Sequence, residues 1–92
     1  MKVMVACGCG MGSSQMLKMK AEQLFRKLGI PATIEHTSIE FAKSEANKYD
    51  VVIINEQFLK DFKKTTAKVI GLKNILSTKE MEEKLRTAGV IE

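Results

Sequence analysis

The sequence contains no tryptophan, one tyrosine, one proline and one histidine, and only two of its 92 residues are cysteines. Such scarcity of aromatics, without a concentrated basic stripe, argues against a nucleic-acid-binding surface. One histidine and two cysteines offer little material for a metal centre, and Cys7 and Cys9 stand one residue apart, a spacing ill suited to a structural disulfide. A reducing compartment would keep both as thiols. No apolar run approaches the roughly 18 residues of a membrane span, and no linker, repeat or low-complexity tract divides the chain. The opening residues, Met1 to Ala6, read as a strand and not as a signal peptide. The expectation is therefore one cytoplasmic domain over residues 1–92, with no insertion into the bilayer and a single core.

Fifteen Lys and Arg against eleven Asp and Glu leave a formal charge of +4, with basic residues densest between Lys18 and Lys27. That surplus suits an acidic protein surface or a phosphorylated partner, and a solvated helix face explains it equally well.

Residues 2–6 form a short apolar strand. From about Ser14 the pattern turns helical, with Leu17, Ala21, Leu24, Phe25 and Leu28 on one face and Gly29 and Pro31 as terminators. Residues 32–37 alternate, with Ile34 and His36 on one side, as in a half-buried edge strand. Thr37 and Glu40 have capping-box spacing ahead of a short helix over 38–47. Val51 to Ile54 is a continuous β-branched run suited to a central strand buried on both faces. A helical or irregular segment through Phe58, Leu59 and Phe62 leads to a fourth strand at Lys68 to Leu72. Ser77 and Glu80 then open a last helix, whose buried stripe is Met81, Leu85 and Ala88. Strict alternation of strand and helix predicts an α/β, Rossmann-like three-layer domain. It has a four-stranded parallel sheet of order 2-1-3-4 and helices on both faces. In that order the end of strand 1 lies at the topological switch point, where open α/β sheets bind ligands.

The segment at that point is Cys7-Gly8-Cys9-Gly10-Met11-Gly12-Ser13-Ser14. Its alternate glycines allow close backbone approach and positive φ, and the following helix adds unpaired N–H donors and the positive end of its dipole. This is an oxyanion cradle. A cysteine at its mouth is expected to have a lowered pKa, and thiolate is the nucleophilic form. Cys7 is the candidate nucleophile. The N–H groups of residues 8–14 are the candidate cradle, with the Ser13 and Ser14 hydroxyls as further donors or as the helix N-cap.

The glycines match neither G-x-G-x-x-G nor the Walker pattern, which needs a Gly-Lys pair. Cys7-x5-Ser13 resembles the Cys-x5-Arg loop of cysteine phosphatases with serine in place of arginine. Without that guanidinium fork, the loop suits holding a phosphoryl group for another acceptor better than hydrolysing it. Alternatives are a small cysteine phosphatase or arsenate-reductase-like enzyme with an arginine from outside the loop, and a soft-metal carrier using Cys7 and Cys9.

Residue by residue, the strand, the Cys-Gly-x-Gly-x-Gly-Ser-Ser text and Lys18-Met19-Lys20 one turn into the helix resemble a known family. They are similar to the enzyme IIB components of the bacterial sugar phosphotransferase system, particularly the ascorbate-type, ascorbate/galactitol-like branch. The resemblance implies a phosphotransferase without a cofactor. Its cysteine, matched by Cys7, takes a phosphoryl group from phosphohistidine on enzyme IIA and passes it to the sugar held by membrane enzyme IIC. Cys9 departs from the pattern, where asparagine is a familiar occupant. His36 reads as a packed or hydrogen-bonded strand residue. Met11 and Met16 would flank the loop toward a partner, and Lys18 and Lys20 would meet acidic residues on it or simply face water.

Overall fold

The computed structural model describes residues 1–7, 11–62, 65–74 and 77–91, with the side chains of 11–14 outside that description. Four parallel strands, β1 (Lys2–Ala6), β2 (Thr33–Thr37), β3 (Val51–Asn55) and β4 (Lys68–Leu72), form one sheet in the order β2-β1-β3-β4, as the sequence predicts. The helices α1 (Met11–Lys27) and α3 (Thr78–Thr87) cover one face. The helix α2 (Ile39–Glu45) and a 3₁₀ segment (Glu56–Phe62) cover the other.

Alternation within the central strands divides the core in two. Val3 and Val5 of β1, with Val51 and Ile53 of β3, pack against Leu17, Ala21, Leu24 and Phe25 of α1 and Met81 and Leu85 of α3. Met4, Ala6, Val52 and Ile54 point the other way, onto Ile39 and Ala42 of α2 and Phe62. Both faces of β1 and β3 are therefore dry, which is why these strands read as unbroken apolar runs. Both α1 and α3 end at glycines in the left-handed region, Gly29 at φ 72° and Gly89 at φ 80°. In each case the paired backbone bonds of a Schellman cap close the helix, Ile30 N–H to Phe25 O and Val90 N–H to Leu85 O.

Three boundaries differ from the expectation. Helix α1 begins at Met11, a turn earlier than the periodicity indicates, because a first turn needs no intrahelical acceptors for its N–H groups and its apolar stripe starts only at Leu17. The cap of α2 is Ser38, not Thr37: the Ser38 hydroxyl accepts from Phe41 N–H at 3.3 Å. That helix stops at Glu45 and tightens into a 3₁₀ turn over Ala46–Lys48. The capping box of α3 is half formed. Ser77 Oγ accepts from Glu80 N–H at 3.2 Å, but the Glu80 carboxylate reaches instead to the N–H groups of Lys73 at 2.8 Å and Asn74 at 2.9 Å.

At the edge of the sheet where strands begin, Asp50 joins the first residues of three strands. Its carboxylate and its N–H bond the backbone of Lys2, each at 2.8 Å, and its carbonyl accepts from Lys68 N–H at 3.1 Å. Nearby, the Tyr49 hydroxyl donates to Glu35, and this bond is the first cause holding the Tyr49 pKa above its ordinary value. At the opposite edge the Lys84 ammonium donates to Gly71 O and pairs with Glu80 at 3.1 Å and Glu56 at 3.5 Å. It thereby ties α3 to the end of β4 and to the start of the 3₁₀ segment.

Two predictions follow from this edge. A Cβ at Gly71 would lie 2.7 Å from Leu59 side-chain carbons and 2.8 Å from the Glu56 Cα, which is backbone. Gly71→Ala must therefore push the 3₁₀ segment off β4, at a cost of about 1–3 kcal/mol measured by chemical denaturation. The Glu80 pKa is lowered, first by the Lys73 N–H bond, with the Asn74 N–H and Lys84 adding to it. A depressed folded-state pKa stabilises above the unfolded value and is lost as pH falls through the folded one. Glu80→Gln should cost about 1 kcal/mol at neutral pH, and denaturation midpoints of variant and wild type should converge once both are titrated below that value.

Candidate functional site

Cys7 follows the last residue of β1, and its thiol is buried, only 3% exposed. Three features fix its surroundings. Strand β1 lies between β2 and β3, so neighbouring chains flank Cys7 on both sides. The register pairs Ala6 with Thr37 and Val5 with Ile53, and extending the latter by two residues brings Asn55, the end of β3, level with Cys7. The connections leave β1 toward β2 through α1 on one face and return toward β3 through α2 on the other, which makes this end of β1 the switch point of the sheet.

Gly8, Cys9 and Gly10 lie outside the described residues. Met11, Gly12, Ser13 and Ser14 are helical backbone in the first turn of α1 and not part of an open loop, and their side chains lie outside the description. Since the helix is under way at Met11, neither serine is its N-cap, a correction to that alternative for both. The described part of the candidate cradle is thus the first turn of α1. The backbone N–H groups of a first turn have no partners four residues back, and the helix dipole adds positive potential at this end. What the described residues bring together is a thiol at the end of β1 and, four residues on, a helix N-terminus of the kind that favours anions.

His36 is half-buried, in register with Val5 and on the Ile34 side of β2, as a packed strand residue is placed. Met16 is exposed. Lys18 and Lys20 are half-buried on different sides of α1, four residues being needed to return to one face. Sequence reasoning overlooked the groups that β3 and β4 bring to the same edge. Asn55, Glu56, Gln57, Leu59, Leu72 and Lys73 line an open cleft of about 510 Å³ there. Their signal was positional: polar residues directly after two apolar strands whose ends the predicted order puts on the Cys7 edge, β3 next to β1 and β4 one strand further. Among the described residues no cluster of three His, Cys, Asp or Glu side chains converges to hold a metal ion, and no helix is long and apolar enough to cross a membrane.

Comparison with known proteins matches this geometry to one group. A family model described as the lactose/cellobiose-specific IIB subunit of the phosphotransferase system matches residues 2–87. The ascorbate-specific EIIB component of Mycoplasma pneumoniae is 30% identical over 84 residues, covering 90% of this chain and 88% of that protein. Its counterpart from Salmonella choleraesuis is 31% identical over 85 residues, covering 91% and 84%. Among solved structures, the lactose-specific IIB domain of Streptococcus pneumoniae aligns with a TM-score of 0.64 at 15% identity, over 96% of this chain and 89% of that one. A domain of a fructose-specific IIABC component from Borrelia burgdorferi aligns at 0.51, also with 15% identity, over 99% and 95%. At these identities the structural matches speak for the fold, while the family model and the sequence relatives speak for descent. The chain belongs to the IIB family of the sugar phosphotransferase system, and the curated relatives it resembles are that family's ascorbate-type components.

Proposed function

We propose that the protein is a cytoplasmic phosphoryl carrier, acting as a single IIB unit over residues 1–92, in which Cys7 holds the phosphoryl group. The observation that carries this reading is the position of Cys7, directly after a central strand and four residues before the N-terminus of α1, in a chain of the IIB family. In the first half-reaction the Cys7 thiolate attacks the phosphorus of a phosphohistidine on enzyme IIA. An S–P bond forms, the N–P bond breaks, and the imidazole leaves with its electron pair. Because imidazole is a good leaving group, the carrier needs no general acid, only in-line placement and donors for the phosphoryl oxygens. Backbone N–H groups of Gly8, Cys9, Gly10, Met11, Gly12, Ser13 and Ser14 are the proposed donors. In the second half-reaction a hydroxyl of the solute held by membrane enzyme IIC attacks the same phosphorus, losing its proton to solvent, and the thiolate is released. The names of the sequence relatives suggest ascorbate as that solute. No cofactor takes part in either step.

The phosphatase alternative requires an arginine beside the loop. The chain has two, Arg26 and Arg86, each in the last turn of its helix. Both helices start at the edge where Cys7 lies and run away from it. Arg26 is about 22 Å along α1 from the first turn, and Arg86 is paired with Glu82 at 2.7 Å near the start of β4, where Lys68 bonds Ala88 O at 2.8 Å. Neither guanidinium is placed to stabilise transfer to water, which favours a carrier.

Incubation with phosphoenolpyruvate, the general phosphotransferase proteins and an ascorbate-type enzyme IIA should add one phosphate, mapped by peptide mass to Cys7 and absent when enzyme IIA is omitted. Cys7→Ser should abolish the adduct with the fold intact by circular dichroism, and Cys9→Ser should retain most of it. Equal loss in the two variants would overturn the assignment, and turnover of an aryl phosphate without enzyme IIA would restore the phosphatase.

A further inference from the structure

The exposed side of α1 combines two features, the first of which α2 shares at Phe41, 50% exposed. First, it carries apolar side chains in water: Met16 is 49% and Met19 53% exposed, although the inner face of the same helix is filled by Leu17, Ala21, Leu24 and Phe25. Second, its positive charges are unmatched. On α2, the turn after it, and α3, most cations find carboxylates three or four residues away: Lys43 with Glu40, Lys48 with Glu45, Lys84 with Glu80 and Arg86 with Glu82, Lys79 being the exception. On α1, Lys20 and Lys27 form no ion pair among the described residues. The one acid of the helix, Glu22, lies about a third of a turn round from Met16. Helical spacing gathers Met16, Met19, Lys20, Gln23 and Lys27 into one outward stripe, which starts about 7 Å along the axis from the first turn beside Cys7. Unbranched methionines adapt to varied surfaces, and unpaired lysines steer an oppositely charged one.

We infer that this stripe is the docking surface for the protein that phosphorylates Cys7, a partner presenting an apolar centre rimmed by carboxylates. The inference rests on the carrier reading and adds where the donor sits. Charge selects the donor over the acceptor as occupant. A phosphorylated donor arrives with about two extra negative charges. Transfer moves them onto the carrier, so the donor becomes less acidic and the stripe's surroundings less basic in the same step. Attraction is therefore strongest before transfer and weakest after it, which favours encounter with the loaded donor and release of the spent one.

The test is a titration of ¹⁵N-labelled protein with ascorbate-type enzyme IIA, followed by backbone amide shifts, with Cys7 phosphorylation read separately by mass. Shift changes centred on Met16, Met19, Lys20, Gln23 and Lys27 are expected. Lys20→Glu/Lys27→Glu should weaken binding tenfold or more and raise the KM for phospho-IIA with little change in kcat. Met16→Ser/Met19→Ser should weaken binding at high salt as well as low. Lys48→Glu, a charge reversal on the opposite layer, should leave both readouts within twofold. Phosphorylation of Cys7 with shifts elsewhere, or with stripe variants like wild type, overturns the docking surface and leaves the carrier. Binding on the stripe without phosphorylation of Cys7 overturns the carrier and, with it, the stripe as a donor surface. Absence of both overturns both.

Discussion

Two-sided burial of β1 is the constraint on which the rest of the structure depends. Val3, Met4, Val5 and Ala6 are all fully inaccessible, and alternate residues belong to opposite halves of the core. Each of the four removes apolar surface from water on one side, and the strand's backbone pairs with β2 on one edge and β3 on the other, so displacing β1 would disrupt both layers and two strand ladders together. Cys7 comes directly after this segment. Its backbone position is thereby inherited from a strand held on both edges and both faces, the condition that in-line transfer would place on the candidate nucleophile.

Most of this was legible in the sequence because the signals were periodic. The β-branched run Val51 to Ile54 announced a strand buried on both faces, the spacing from Leu17 to Leu28 gave the inner side of α1, and alternation of strand and helix gave the order 2-1-3-4. What escaped was decided by single hydrogen bonds. Thr37 and Ser38 are equally good caps on paper, and only the β2 ladder, which extends through Thr37, leaves Ser38 to accept from Phe41. Glu80 has the spacing of a capping-box acid, yet its carboxylate serves two N–H groups at the end of β4. Local pattern does not distinguish those uses, since both satisfy a carboxylate near a helix start. The site divides the same way. Cys7 and its glycines stand out as a motif, whereas Asn55 and Lys73 reach the same edge only through strand order.

The two edges of the sheet differ in how they are closed. Where the strands begin, Asp50 binds Lys2 and Lys68, Tyr49 binds Glu35, and Lys68 caps the end of α3 through Ala88 O, so backbone and side-chain groups are satisfied internally. Where the strands end, closure is one-sided. Lys84, Glu80 and Glu56 lock the β3–β4 half, while the β1 half presents Cys7 and the first turn of α1. The locked half includes the cleft between the ends of β3 and β4, and the other half carries a helix N-terminus, the kind of terminus that favours anions.

The same division extends to the surface charge. A helix that neutralises its own cations with acids three or four residues away presents little field to a partner, because the paired charges cancel beyond about a Debye length. Helix α2 is of that kind, and α3 is so apart from Lys79. Helix α1 is not, and it is the helix whose start adjoins the candidate nucleophile. Stability does not demand this arrangement, since α1 is held by Leu17, Ala21, Leu24 and Phe25 on its inner face whatever its outer residues are. An outer face that folding leaves free, yet that is both apolar and basic near Cys7, is therefore explained by what the protein meets and not by what holds it together.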